Sequence, residues 1–191
     1  MEMLGRTITW MWVVFLLGWL FSAFTTKRSV QQQSGGSRLV QSLIMLLGVA
    51  LLMNYRHFLG HGWLAAPLVP NSLASVGTGA ALTFGGLAFC VWARLILGRN
   101  WSGVVTIKQD HELIVRGPYR IVRHPIYTGL LIAFLGTATA IGFAYSFAGV
   151  LVIAISFWLK LKVEEQFMLQ QFGAQYTDYR RHTRALIPFV L

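Results

Sequence analysis

The sequence predicts an all-α integral membrane protein with about five transmembrane helices. Three observations carry this. Hydrophobic residues make up 55% of the chain and charged residues only 12%, too apolar a mix for an ordinary soluble domain. The apolar residues fall in long runs, the longer of which match the thickness of a bilayer. The 16 Lys and Arg residues, against 6 Asp and Glu, gather in the gaps between those runs, as the positive-inside bias describes. The net charge of +10 is therefore read as topology. No basic face or recognition motif points to nucleic acid. Cys90 is the single cysteine, so no intrachain disulfide forms.

In chain order, Ile8 to Phe24 is the first apolar run. It is read as a span and not a signal peptide, because it lacks a basic leader beyond Arg6 and a small-residue cleavage site. Residues 25–38 hold Lys27, Arg28, a glutamine triplet and Ser34-Gly35-Gly36-Ser37, the composition of a polar, flexible loop. Leu39 to Leu59 is the second span. His57 and His61 stand four apart, but no carboxylate or cysteine accompanies them, so they are read as interfacial and no metal site is expected. A loop with Pro67 and Pro70 follows, with Trp63 as an interfacial anchor. Leu73 to Leu97 is the third span, rich in small residues that allow close packing. Its Arg94 either snorkels to the headgroups or lines a pocket.

The long polar connection, residues 98–125, precedes two shorter apolar runs, Ile126 to Ile141 and Tyr145 to Leu159. Separated by three residues, they predict a tight helical hairpin that tilts, crosses a thinned bilayer or re-enters. From Lys160 a charged amphipathic helix leads to a basic tail. Cations flank the 25–38 and 98–125 loops and the tail, but are few in the N-terminus, the 60–72 loop and the 142–144 turn. This asks for five spans with the N-terminus outside and the C-terminus inside. Residues 1–72 then form a two-helix membrane segment, and residues 73–191 carry the chemistry.

That chemistry centres on His111 to Gly129. Arg116, Tyr119, Arg120, Arg123, His124 and Tyr127 fall within twelve positions, broken by Gly117, Pro118 and Pro125. The prolines forbid one continuous helix. Gly117-Pro118 is expected to end an extended arm, Tyr119 to Arg123 to make about one turn, and Pro125 to open a new helix. The N–H groups of Ile126, Tyr127 and Thr128 are then expected to point unpaired beside Arg123 and His124, an arrangement suited to an anion. Glu164 and Glu165 offer negative charge to an amine or hydroxyls, or form a solvated face paired with Lys160. Neighbouring helical residues diverge by about 100°, so at most one of the two points straight into a pocket. The arginines alternatively serve topology and lipid headgroups.

The series His111-Glu112-Leu113, Gly117-Pro118-Tyr119, Arg123-His124-Pro125-x-Tyr127 and Glu164-Glu165 resembles the isoprenylcysteine carboxyl methyltransferase family. Phe172-Gly173-x-x-Tyr176-x-x-Tyr179 and Leu186-Ile187-Pro188 also resemble its C-terminal pattern. These integral-membrane enzymes are related to phospholipid N-methyltransferases, and the resemblance covers roughly residues 75–190. It implies that residues 73–191 are a methyltransferase core. A cytosol-facing S-adenosylmethionine pocket is formed by the 98–125 connection and the C-terminal helix. Carried over residue by residue, His111, Leu113, Val115, Gly117, Tyr119, His124, Tyr127 and Glu165 line that pocket, with Arg123 and Glu164 supporting it. Arg123, with Arg94 and Arg99 steering an anionic acceptor at the membrane boundary, makes up the expected catalytic set. Arg116 departs from the small polar residue usual in the family. The implied partners are membrane lipids and an amphipathic or lipid-linked methyl acceptor, most directly a prenyl-cysteine carboxylate, with a phospholipid amine or small thiol as alternatives. Its tail is expected in a lipid-open groove beside the third span. The pocket is expected to face the cytoplasm from the cell inner membrane. The competing class, a membrane scaffold or transport component, would call for polar residues inside the spans, which are almost free of them.

Overall fold

A computed structural model of the chain describes residues 2–23, 29–32, 34–58, 62–101, 106–108 and 112–187. These form α1 (Glu2–Ala23), β1 (Ser29–Gln32), α2 (Gly35–Phe58), α3 (Leu73–Leu97), β2 (Thr106–Lys108), α4 (Pro125–Ile141) and α5 (Ala144–His182). The chain is a multi-pass membrane protein. Helices α1, α2, α3 and α5 are long and apolar enough to cross a membrane, and α4 is a shorter apolar helix of 17 residues.

Two sets of contacts sort the loops onto opposite ends. At one end, Leu68 and Val69 donate to Gly142 O, and Ala144 N donates to Ala66 O at 2.9 Å, so the α2–α3 loop grips the α4–α5 turn. Gly142 ends α4 in the left-handed region at φ +81°. A Cβ there would meet Val69 O at 2.7 Å, so glycine is required both by conformation and by space. At the other end β1 pairs with β2 antiparallel, Ser29 opposite Lys108 and Gln32 opposite Thr106. The two cation-rich loops therefore meet, although each segment reads as an unstructured polar loop. Strands of four and three residues have no stability alone, so only the neighbour supplied by the fold forms them.

Glycines stitch the helices into two pairs. On α3 and α4, a Cβ at Gly86 would lie 2.5 Å from Ala133 N, and one at Gly136 would lie 2.5 Å from Thr83 N. On α2 and α5, a Cβ at Gly149 would lie 2.6 Å from Leu52 N. Such backbone approach is the packing that small residues permit in a bilayer. Thr83 and Thr137 face each other at 3.3 Å across the first pair, and Trp12 Nε1 donates to Thr137 Oγ1 at 3.0 Å, bringing α1 onto it. The face of α3 that carries Gly79 and Gly86 is thus occupied by α4, while Gly85 lies on an open face.

Two further expectations are revised. The change of composition at Lys160 is not a structural boundary: α5 runs on through it and breaks its helical geometry only at Gly173, φ +49°. Arg94 does not reach outward. It is buried, donates to Gly98 O at 2.7 Å and Ser22 O at 2.8 Å, and lies 4.6 Å over the Trp101 ring. This guanidinium ties the end of α1 to the end of α3 through those two carbonyls.

The packing yields a paired test. Gly86→Ala should lower the thermal midpoint in detergent, because overpacking against backbone costs about 1–3 kcal/mol. Gly85→Ala, whose Cβ would meet nothing within 4 Å, should leave the midpoint unchanged or raise it. Equal effects at both positions would contradict the α3–α4 contact.

Candidate active site

Helix α5 sets the depth of the site. From Ala144 to Glu164 is 20 residues, a rise of about 30 Å, the thickness of the bilayer's hydrocarbon core. The two glutamates therefore stand at the end of the apolar stretch opposite the α4–α5 turn. The 98–125 connection reaches them through a 3₁₀ turn at Gly117–Arg120, opened by Gly117 at φ +60° against Ile96. Pro125 begins α4 as a first-turn proline.

After α5 the chain returns as a strap along this connection. Val122 and Arg184 form an isolated parallel bridge. Arg123 N donates to Arg184 O at 2.7 Å, His124 N to Ala185 O at 3.0 Å, and Thr128 Oγ1 to Leu186 O at 2.7 Å. Tyr179 Oη donates to Tyr119 O at 2.5 Å. Thr128 N donates to His124 O at 3.1 Å, so Thr128 is not one of the unpaired N–H groups expected at the start of α4.

Nor are Arg123 and His124 left positive for an anion, because the glutamates neutralise them. Arg123 Nε and Nη2 each lie 2.7 Å from Glu165 Oε1, and Arg123 Nη1 donates to Thr183 O. Arg180 Nε is 3.4 Å from Glu165 Oε2. His124 sits between the carboxylates, Nδ1 3.4 Å from Glu164 Oε2 and Nε2 3.4 Å from Glu165 Oε1. Tyr127 Oη donates to Glu164 Oε1 at 2.5 Å. The His124, Tyr127 and Phe157 rings form a stack, with centroid separations of 5.7 and 4.8 Å. Burial disfavours the charged imidazole, yet the two adjacent carboxylates outweigh it and hold the His124 pKa above its ordinary value. Burial, with Glu164 nearby, pushes the Tyr119 phenol up, so it stays protonated.

These groups line one end of a cavity of about 470 Å³. Glu112, Tyr119, Arg123, His124, Lys160, Glu164, Tyr176 and Tyr179 make its polar end. Trp12, Phe15 and Leu16 of α1, Met45 and Val49 of α2, and Leu130 and Phe134 of α4 make its apolar part. Leu16 is half exposed, on the side where lipid would lie. Asn100 Oδ1, on a lining residue, is buried without a hydrogen-bond partner among the described residues. A buried acceptor left without a partner is costly.

Of the residues singled out from sequence, Leu113, Tyr119, Arg123, His124, Tyr127 and Glu164 converge on the cavity. Glu165 stands outside the lining and grips Arg123. Gly117 packs on Ile96 and Val115 is half exposed; neither lines the cavity, and neither does Arg94. Arg99 falls in a 3₁₀ turn at Gly98–Asn100, its side chain outside the described set. His111, His61 and the side chain of His57 also lie outside it. Sequence reasoning missed Glu112, Asn100 and the walls from α1 and α2. The spacing of Trp12, Phe15 and Trp19 along one helical face was the available signal.

The raised His124 pKa makes a pH prediction. Its stabilisation is complete below about pH 6.5, the ordinary value, and is lost as pH rises through the raised folded value. The gap in thermal midpoint between wild type and His124→Gln should therefore be wide in acid and narrow in alkali. A gap independent of pH would mean that the ring is neutral throughout.

A family model described as phospholipid methyltransferase matches residues 74–175, more than half of the chain and including α4 and both glutamates. The chain is similar to protein-S-isoprenylcysteine O-methyltransferase B of Arabidopsis thaliana, 32% identical over 101 residues, covering 51% of each chain. It is similar to protein-S-isoprenylcysteine O-methyltransferase of Schizosaccharomyces pombe, 32% identical over 99 residues, covering 49% of this chain and 41% of that one. Methanethiol S-methyltransferase of Mycobacterium tuberculosis is 39% identical over 75 residues, covering 37% of this chain and 28% of that one. These matches span about half the length, or less, of the curated relatives. Among solved structures, the eukaryotic intramembrane Ras methyltransferase ICMT (isoprenylcysteine carboxyl methyltransferase) superposes with a TM-score of 0.56 at 23% identity, covering 83% of this chain and 54% of that one. That likeness shows a shared membrane fold. With the match across residues 74–175, the chain belongs to the phospholipid methyltransferase family.

Proposed function

We propose that the protein is an S-adenosylmethionine-dependent methyltransferase that modifies an amphipathic acceptor delivered from the bilayer, most directly a prenyl-cysteine carboxylate. The observation that carries this reading is the single cavity joining a charged end to an apolar arm between α1, α2 and α4. Its size falls within the range of small-molecule sites.

The polar end fits the methyl donor. Glu164 and Glu112 suit the donor's cationic groups, Asn100 Oδ1 suits a polar group on it, and the Tyr119 ring suits a cation. When bound, S-adenosylmethionine supplies a methyl group activated on a positively charged sulfur. The chain's own part is to orient and to exclude water. Tyr127 and His124 fix the Glu164 carboxylate, while Glu165 locks Arg123 to the strap that roofs the site. Such positioning and water exclusion are the available sources of rate. An acceptor carboxylate is ionised near neutrality and needs no base, consistent with carboxylates and a histidine already engaged with one another. Arg99 is the cation proposed to steer the acceptor, since Arg94 is spent on main-chain carbonyls. The distribution of cations supports a polar end facing the cytoplasm, and the cell inner membrane is the proposed location. A small-thiol acceptor is the second reading, favoured by the methanethiol S-methyltransferase likeness.

Titration of the purified protein with S-adenosylhomocysteine tests the donor half. Glu164→Gln and Tyr127→Phe should weaken binding about tenfold to over a hundredfold, the worth of a hydrogen bond to a charged group being roughly 1.5–3 kcal/mol. Unchanged affinity in both would return these residues to a structural role. A methyl-transfer assay across prenyl-cysteine analogues tests the acceptor half. Reactivity should rise steeply with tail length, at about 0.8 kcal/mol per CH₂, then level off. Reaction of short thiols alone, with no effect of tail length, would favour the second reading.

A further inference from the structure

Arg123 lines a second recess, of about 370 Å³, whose other walls are Thr177, Arg180, Arg181, Arg184 and Ala185. We propose that this recess binds the phosphate of an anionic phospholipid headgroup, seating the strap on the membrane surface. The recess shares its Arg123 wall with the donor cavity but does not depend on the methyltransferase reading.

Charge is the first argument. Arg123 and Arg180 share the Glu165 carboxylate, so the charge for an anion comes mainly from Arg181 and Arg184. Asp178, the nearby acid on the same helix, does not line the recess and lies 3.7 Å from His182. Arg181 and Arg184 are exposed, and their planar forks match phosphate oxygens in pairs. Depth is the second argument. Arg180 touches Glu165, which stands about 30 Å along α5 from Ala144 by helical rise, so the recess opens at headgroup level. The third argument separates a lipid from a free phosphate. Ile121 and Ile187 are half exposed, on the two segments bridged at Val122 and Arg184. Each lies two or three residues from a lining arginine, Ile121 from Arg123 and Ile187 from Arg184, and offers exposed apolar surface to an acyl chain.

The test uses the full chain purified in detergent, titrated with fluorescent phosphatidylglycerol in mixed micelles. Phosphatidylcholine and inorganic phosphate serve as comparison ligands. Wild type should prefer phosphatidylglycerol over phosphatidylcholine, and inorganic phosphate should not displace it. Arg181→Gln with Arg184→Gln should weaken phosphatidylglycerol about tenfold to thirtyfold, each surface cation contributing roughly fivefold. Arg116→Gln with Arg120→Gln removes equal charge from the exposed connection and should change binding less than about threefold. Arg181→Lys with Arg184→Lys keeps the charge but not the fork, and should weaken binding by less than the glutamine pair does. Equal loss in both glutamine pairs would reduce the effect to general surface charge and overturn the site. Displacement by inorganic phosphate, or full loss in the lysine pair, would overturn it too.

Discussion

A pair of adjacent carboxylates at the end of a membrane-crossing helix has to be compensated where it stands. Removing one partner from a buried ion pair leaves an uncompensated charge, at a cost of several kcal/mol. Glu165 is buried and is met by Arg123, His124 and Arg180; Glu164 is met by His124 and Tyr127. These four partners come from three parts of the chain: Arg123 and His124 from the connection, Tyr127 from the first turn of α4, and Arg180 from the segment beyond Gly173. Compensation of two side chains thus draws three segments together. Arg123 extends the network by donating to Thr183 O, which fixes the strap. The charge network closes the pocket and leaves Glu164 as its carboxylate face.

The apolar half has a different origin. Close backbone contact at Gly86 and Gly136 joins α3 to α4, and at Gly149 joins α2 to α5. Tight packing within each pair leaves space between them, and that space is the apolar arm. Trp12, stacked on Phe134 at 4.7 Å and bonded to Thr137, holds α1 as an outer wall. Polar and apolar halves meet at the His124–Tyr127–Phe157 stack. A donor at one end and a tail at the other would therefore be aligned by one rigid wall.

Local chemistry made much of this legible. Pro125 after His124 marked the start of α4, Gly142 its end, and the cation counts sorted loops that the structure ties together at each end. The divergence of neighbouring helical residues anticipated that only one glutamate would face the cavity. What was not legible depended on long-range partners. Gly79 and Gly86 announce close packing but not whether a helix or lipid fills the space; α4 fills it. Lys160 changes the solvent preference of α5 without supplying a helix breaker, so the helix continues to Gly173. The carbonyls awaiting Arg94 belong to Ser22 and Gly98, and the former lies 72 residues away in sequence. The N-terminal walls carry no motif, because an apolar lining is made by shape and area, which many sequences provide.

The central claim is that one cavity holds the methyl donor beside Glu164 and the acceptor's tail between the two glycine-stitched pairs. Photo-crosslinking with a prenyl-cysteine bearing a diazirine at the tail end tests it directly. The account predicts labelling of Trp12 to Trp19, Met45 to Val49 or Phe134. Labelling confined to the exposed face of α3, at Phe84 or Leu95, would contradict it.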